Sequence, residues 1–281
     1  MKKTFRTMLV AAMAMLTMTY VGCKGGQGEG EGEGEGGEVK TTEMPDTMTI
    51  KVGDSEFSMS KVEPGTFTIG PVAGDKNVTP EEKPAHKVDL TQRFYIGQTE
   101  VTQDLYQAVM GTNPSNFKGA KNLPVEQVSY NDAIEFCKRL SEKTGHTFTL
   151  PTEAQWEYAA RGGQKAPTEP QLYAGSNNIG DVTWFEDNSG EKTHPVASKA
   201  PNAIGLYDMT GNVFEWCLDW YGSYKGGDVT NPEGPASGKD RVIRGGSWRG
   251  DAKNCRVSYR YNYGPDHNRF NLGFRVVMLP E

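Results

Sequence analysis

The chain has 281 residues, 23% of them charged, and a formal net charge of −6. That length suits one large domain or two small ones, and an acidic balance gains no counterion-release energy from nucleic acid, which sets nucleic acid aside as a partner. Glycine (34 residues) and aromatics (10%) are plentiful while long apolar runs are scarce, so the composition describes a loop-rich globular domain rather than a helical bundle.

The first residues read as a leader. Lys2, Lys3 and Arg6 form a basic stretch, residues 8–21 are apolar but too few for a comfortable membrane span, and Gly22-Cys23 follows. A small residue directly before a cysteine resembles a bacterial lipobox, although Tyr20 stands where leucine is usual. The expectation is a signal peptide over 1–22, cleavage before Cys23 and lipid on that cysteine; the alternative is simple secretion with Cys23 incidental. Residues 23–46 then read as a tether, since 28–36 alternate strictly between Gly and Glu, repel themselves and have nothing to bury. Without Cys23 the chain keeps Cys137, Cys217 and Cys255, an odd count that forbids a complete disulfide framework.

The folded domain is expected over 47–281. Partial alternation of Ile50, Val52, Phe57, Met59 and Val62 predicts short strands over 49–62, and 88–96 reads as another strand. A helix follows over 99–110, with Thr102 as a candidate cap. A clearer one spans 131–144, where Ala133, Phe136, Cys137 and Leu140 share a face, Asn131 is a plausible N-cap and Gly145 a plausible stop. A third covers 152–161: Thr152 and Gln155 have capping-box spacing and Gly162-Gly163 ends it. Beyond Gly163, frequent Gly, Pro, Asn and Asp predict many short strands and long loops.

Four segments carry a family resemblance: FYIGQTEVTQDLYQAVMGTNPSNF (94–117), LPTEAQWEYAARGG (150–163), PNAIGLYDMTGNVFEWCLDW (201–220) and SGKDRVIRGGSW (237–248), closed by NLGFR (271–275). In this order they resemble the formylglycine-generating, or sulfatase-modifying factor, family. The resemblance implies an α+β fold, a formylglycine-generating-enzyme-like variant of the C-type-lectin fold with little regular secondary structure. Within it, Arg161 and Glu153 can pair through charge-assisted bonds, Trp156, Trp216 and Trp248 supply buried area, and Gly245-Gly246 permits close chain approach.

The resemblance also implies a structural calcium ion in the loop 208–215, held by the carboxylates of Asp208 and Glu215 and the carbonyls of Gly211 and Val213, an oxygen set that suits a hard cation; the alternative is that both carboxylates cap loop amides. The family's enzymes oxidise a sulfatase cysteine to formylglycine with two cysteines that hold copper(I), placed after a Gly-Gly-Ser-aromatic motif. Here that motif is Gly245-Gly246-Ser247-Trp248, the second cysteine falls on Cys255, and the first falls on Gly250, which cannot ligate a soft metal. The departure argues against copper and against turnover; were the chain such an oxidase, Cys255 and Ser247 would be its site residues. Cys255 otherwise pairs with Cys217 or packs as a small hydrophobe. The family's iron-dependent sulfoxide synthases carry histidine ligands on an extra helical domain. His86, His146, His194 and His267 are scattered without an H-x-x-x-H or H-x-x-E-H pair, which excludes that branch.

The stretch 249–271 interleaves Tyr259, Tyr261, Tyr263 and Phe270 with Arg256, Arg260 and Arg269, a palette like an antibody paratope. It also resembles the variable segment of proteins diversified by retroelements, in which randomised adenines in AAY codons allow Asn, Tyr, His, Asp, Ser, Phe, Arg or Gly. Positions 249–251, 259, 261–264, 267 and 270–271 fit that set; Lys253 does not. The frame between them, including Cys255, Arg256, Arg260 and 272–275, reads as scaffold. The candidate ligand-binding residues are Arg249, Asp251, Tyr259, Tyr261, Asn262, Tyr263, His267 and Phe270, for a protein or glycan ligand. The expected setting is a lipid anchor in the cell envelope, facing away from the cytoplasm; an envelope accessory or structural protein of the same fold is the alternative.

Overall fold

Gly53 takes a left-handed backbone (φ 60°), and the two-residue turn it makes with Asp54 folds Thr47–Val52 (β1) back on Ser55–Val62 (β2) as an antiparallel hairpin. The short strands expected over 49–62 are these two, with Ile50, Val52, Met59 and Val62 buried. In this computed structural model residues 44–280 are described; the expected leader over 1–22, Cys23 and the Gly/Glu run lie outside them. Among the described residues no helix is long and apolar enough to cross a membrane.

Gly65–Ile69 (β3) pairs antiparallel with His86–Leu90 (β4), and Phe94–Gly97 (β5) pairs with β2. The strand expected over 88–96 is thus broken, with its halves in different sheets. A distant side chain holds the break: Asn231 accepts the Thr91 N–H at 2.9 Å and donates to the Thr91 hydroxyl at 2.7 Å.

Thr102 caps Gln103–Met110 (α1), accepting the Leu105 N–H at 3.3 Å. The next helix, Tyr130–Thr144 (α2), starts one residue before expectation. Its cap is Ser129, in a capping box with Asp132, and Asn131 instead donates to Asp266 at 2.7 Å. Its buried face is the expected one, and Gly145 stops it at φ 80°. After Phe148–Thr149 (β6), the Thr152–Gln155 capping box opens Glu153–Ala160 (α3), which is buried on nearly every side and runs through the centre of the domain.

One helical turn, Ile179–Val182 (α4), precedes the remaining strands: Phe214–Trp220 (β7), Val229–Thr230 (β8), Arg241–Arg244 (β9), Tyr261–Tyr263 (β10), Leu272–Gly273 (β11) and Val277–Met278 (β12). Three sheets result, in the orders β1-β2-β5-β12-β6, β10-β9-β7-β11 and β3-β4-β8. The last strand inserts between β5 and β6, which ties the C-terminus into the first sheet.

With so much irregular chain, buried ion pairs hold loops to elements. Arg275 forks onto Glu215 at 2.6 and 2.7 Å, Arg260 onto Glu153 at 2.6 Å on both oxygens, and Arg256 bridges Glu82 and Asp75. Burial, the largest single influence, would raise the Glu82 carboxyl, but bonds from Arg256, the Thr79 N–H and Ser258 together outweigh it and hold the group below the usual carboxylate range. Arg161 pairs not with Glu153, as the sequence suggested, but with Glu157 one turn back along α3, while Glu153 faces Arg260 and Arg244. Trp156, Trp216 and Trp248 are all buried. Cys137, Cys217 and Cys255 are buried and unpaired, so the Cys217–Cys255 bridge weighed from the sequence is absent; the two lie in separate apolar clusters.

One buried carboxyl is poorly matched. Glu126 accepts the Phe117 N–H at 2.8 Å through one oxygen, while the other has no partner. Burial pushes its pKa from 4.5 to about 7. A carboxyl raised on folding favours the folded state in its protonated form, so this contribution is full below pH 4.5 and lost as pH rises through 7. Glu126→Gln should raise stability at pH 8 by roughly 1–3 kcal/mol and leave it unchanged near pH 4. Urea denaturation at both pH values checks this; an equal change at both would refute the account.

Candidate binding cleft

β10 is an edge strand of its sheet. Alternation along it sends Tyr261 and Tyr263 to one face and Asn262 to the other. Tyr261 meets Tyr263 edge-on at 5.5 Å, stacks with Tyr259 at 6.4 Å and lies 6.4 Å from Phe214 of β7. Together with Arg249, Arg269, Phe270 and Asn271, these rings line a cleft of about 410 Å³, floored by Ser247, Gly250 and Asn254.

The cleft rests on the interior behind it. Arg244, buried in β9, pairs with Glu157 and donates to the Tyr259 carbonyl, fixing the start of the tyrosine ladder. Trp248 is buried between Phe117 (5.4 Å) and Phe270 (5.8 Å), and its indole N–H donates to the Phe270 carbonyl at 3.2 Å. The Arg269 carbonyl accepts the Gln127 N–H at 2.9 Å, leaving its guanidinium free to lie over Tyr263, 5.2 Å from the ring. Burial raises the Tyr259 hydroxyl to about 12, so this ring is a neutral wall at any physiological pH.

Of the eight ligand-binding candidates, Arg249, Tyr259, Tyr261, Tyr263 and Phe270 line the cleft; Asp251, Asn262 and His267 do not. Asp251 precedes a 3-10 turn over Ala252–Cys255 and pairs with Lys253 at 2.8 Å. Asn262 lies on the far face of β10, beside Tyr221. His267 folds back on its own turn, 5.8 Å from Tyr263. Arg269, Asn271, Asn254 and Phe214 complete the lining without having been singled out. The first three sit in the same Tyr/Arg-rich stretch, whereas Phe214 comes from a strand that no local pattern connects to it.

Ser247 is fully buried at the floor, and its hydroxyl accepts the Asn271 amide at 3.0 Å. Cys255 lies behind it, fully buried, and burial raises its thiol to about 12 despite the Ser247 backbone bond that opposes the rise. A Cβ built on Gly250 meets nothing closer than 3.4 Å, so the floor has room for a side chain there.

The loop proposed to hold calcium is built differently from the expectation. Both oxygens of Glu215 are engaged by Arg275, and one also by the Trp156 indole at 2.7 Å. Asp208 accepts the Ala197 N–H at 2.8 Å through one oxygen, and its other oxygen is buried without a partner. The carboxylate that shares this space was not anticipated: Glu100 accepts the Val213 N–H at 2.9 Å and the Asn212 amide at 2.7 Å. Burial, then the charges of Asp208 and Glu215, raise Glu100 well above its ordinary range. Among the described residues no cluster of three or more His, Cys, Asp or Glu has metal-site geometry.

A model of the sulfatase-modifying factor enzyme 1-like domain matches residues 45–279. The chaperone protein LppX of Paenibacillus barcinonensis is 34% identical over 77% of this chain and 87% of its own. The formylglycine-generating enzyme of Mus musculus is 40% identical over 56% of this chain and 44% of its own, so the chain spans under half of that relative. Among solved structures, the Treponema denticola variable protein 1 superposes with a TM-score of 0.76 at 35% identity, covering 84% of this chain and 100% of that one. PvdO from Pseudomonas aeruginosa superposes at 0.72 with 28% identity, covering 83% and 98%.

Proposed function

This chain belongs to the sulfatase-modifying factor enzyme 1-like family, and on that premise we propose that it is an extracytoplasmic, lipid-anchored binding protein whose Tyr/Arg cleft holds a protein or glycan ligand. Its fold is the α+β formylglycine-generating-enzyme-like variant of the C-type-lectin fold, and its C-terminal segment resembles the variable proteins of retroelements.

The observation that carries the proposal is how 249–275 divides between surface and interior. Arg249, Tyr259, Tyr261, Tyr263, Phe270 and Asn271, all within the codon set of a diversified segment, surround the cleft. The intervening Cys255, Arg256 and Arg260, and the stretch 272–275, are buried, the arginines locked in ion pairs. At its exposed positions, Arg249 and Tyr261, such a segment can change its contact residues without touching its fold. Lys253, outside the codon set, belongs to the frame: its carbonyl accepts from Arg256 at 2.8 Å. Oxidase chemistry has less support, because Gly250 stands where a thiolate is needed and Cys255 is buried with a raised thiol pKa. The Paenibacillus relative is named a chaperone; carried to this chain, that role would make the ligand a protein.

Photocrosslinking tests the site. A benzophenone amino acid at position 261 should yield a discrete adduct in intact cells, where palmitate labelling lost in Cys23→Ser marks the anchored protein. The same probe at exposed Lys87 on β4 should yield none. Equal adducts from both positions, or none from 261, would sink the proposal. Tyr261 is the apt position to alter because it is 43% exposed: Tyr261→Ala should cost the fold only about 1 kcal/mol and weaken ligand binding at least tenfold. Tyr259 and Tyr263 pack on the core and would confound fold with binding.

We further propose that calcium binds beside Asp208 in a structural role, supported by its unpartnered buried oxygen next to Glu100. Those two carboxylates, with the carbonyls of Gly211 and Val213, would hold it, while Glu215 stays with Arg275; an ion there would neutralise buried negative charge and tie the loop to the segment between β5 and α1. Calcium should raise the melting temperature of chelator-treated protein, and Asp208→Asn should abolish the increment. No change with calcium overturns the proposal.

A further inference from the structure

We infer that the cleft's ligand is an extended acidic segment of a partner protein; the inference rests on the binding reading above and names the ligand class. Two independent observations meet at this site.

The first is charge. The buried arginines 244, 256, 260 and 275 each face a carboxylate within the domain. Arg249 and Arg269 do not. Both are exposed, both line the cleft, and among the described residues neither guanidinium makes a hydrogen bond or an ion pair; each rests only over a ring, Phe270 and Tyr263 respectively. No carboxylate lines the cleft. Glu186 and Glu191 share a neighbouring groove with Arg249 but lie outside ion-pair distance of it. A cationic cleft on a chain of net charge −6 is a local reversal of sign. Planar guanidiniums suit carboxylates through forked hydrogen bonds, and here both forks are open.

The second is backbone. β10 pairs only with β9, and as the edge of its sheet it leaves outward N–H and C=O groups. Among the described residues no other backbone hydrogen bond is made by Tyr261, Asn262 or Tyr263. An unpaired edge beside side-chain pockets is the geometry by which an extended peptide adds to a sheet: main-chain bonds supply affinity and alternate side chains supply specificity. A strand added there would run about 4.8 Å from β10. Every second side chain would then stand on the Tyr261–Tyr263 face, where Arg269 lies over Tyr263 and Arg249 lines the same cleft. A polysaccharide has no matching row of amide donors and acceptors, which decides for peptide.

The experiment uses the full chain and three fluorescein-labelled peptides: one with glutamates flanking a tryptophan, its Glu→Gln counterpart and its Glu→Lys counterpart. Fluorescence anisotropy at low salt should show the acidic peptide binding at least tenfold tighter than the Gln peptide, with the Lys peptide weakest and the preference shrinking as salt rises. In the Arg249→Gln/Arg269→Gln double variant, whose altered groups are exposed and unpartnered, the Glu-over-Gln preference should vanish. N-methylation of alternate peptide amides should weaken binding at least tenfold in one register only. Equal binding of the Glu and Gln peptides, with both lost in Tyr261→Ala, overturns the acidic assignment and leaves the cleft as the binding site. An acidic preference that survives the double arginine variant overturns it too. A sulfated oligosaccharide that binds as tightly as the Glu peptide overturns the peptide assignment. If Tyr261→Ala affects no probe and position 261 gives no crosslink, it is the cleft reading itself that fails.

Discussion

Arg275→Met should cost the domain roughly 3–5 kcal/mol, the range for breaking one partner out of a buried ion pair. Arg275 is fully buried and its guanidinium donates to Glu215 twice, to the Gly97 carbonyl at 3.0 Å and to the Tyr207 carbonyl at 2.9 Å. It is also the cation facing Glu100 and Asp208. Methionine would keep most of the side-chain volume, so the loss is electrostatic and polar rather than a cavity effect. Arg139→Met is the control. That arginine pairs with Glu135 on the exposed face of α2, with both side chains more than 40% exposed, and such a pair contributes about 0.5 kcal/mol or less. Urea denaturation of both variants decides the matter: a loss below about 1 kcal/mol for Arg275→Met would mean the pair does not anchor the C-terminal segment.

Gly246→Ala should cost roughly 2–5 kcal/mol, combining a left-handed backbone penalty with overpacking. Gly246 has φ 77°, and a Cβ there would lie 2.6 Å from the Cys255 sulfur and 2.7 Å from the Asn254 carbonyl oxygen. The backbone of 254–255 would have to move, and Asn254 is part of the cleft floor. The same variant should therefore weaken ligand binding even at temperatures where it stays folded. Gly111→Ala separates the two contributions: Gly111 ends α1 at φ 80° with nothing within 4 Å of the added Cβ, so only the backbone penalty of about 1–2 kcal/mol applies. Matching losses at the two positions would show that close packing behind the cleft is not what demands glycine.

Much of this architecture is written locally. The Thr152–Gln155 box, Gly145 after α2 and the shared face of Ala133, Phe136, Cys137 and Leu140 each depend on residues within a turn or two, which is why periodicity and capping rules find them. The error at Asn131 has the same cause: Ser129 and Asn131 are both good cap residues, and only the reciprocal bond to Asp132 and the outside partner Asp266 separate them. The motifs around 94–117, 150–163, 201–220 and 237–248 placed the fold because they are family features, and the Tyr/Arg stretch marked most of the cleft lining.

The tertiary structure decided the pairings. Which carboxylate meets which arginine joins positions as far apart as Glu82 and Arg256, or Glu153 and Arg260, and no sequence period links them, because irregular loops bring them together. The same holds for Glu100 beside Asp208, for Phe214 across from Tyr261, and for the exclusion of Asn262 and His267 from the cleft. By itself the sequence determined the fold family, the helices α1 to α3, and the stretch that supplies most of the cleft lining. The burial of some groups and the freedom of others, above all the paired Arg256 and Arg260 against the open Arg249 and Arg269, was decided only when the chain closed on itself, since a charge's partner and its solvation are properties of three-dimensional neighbours.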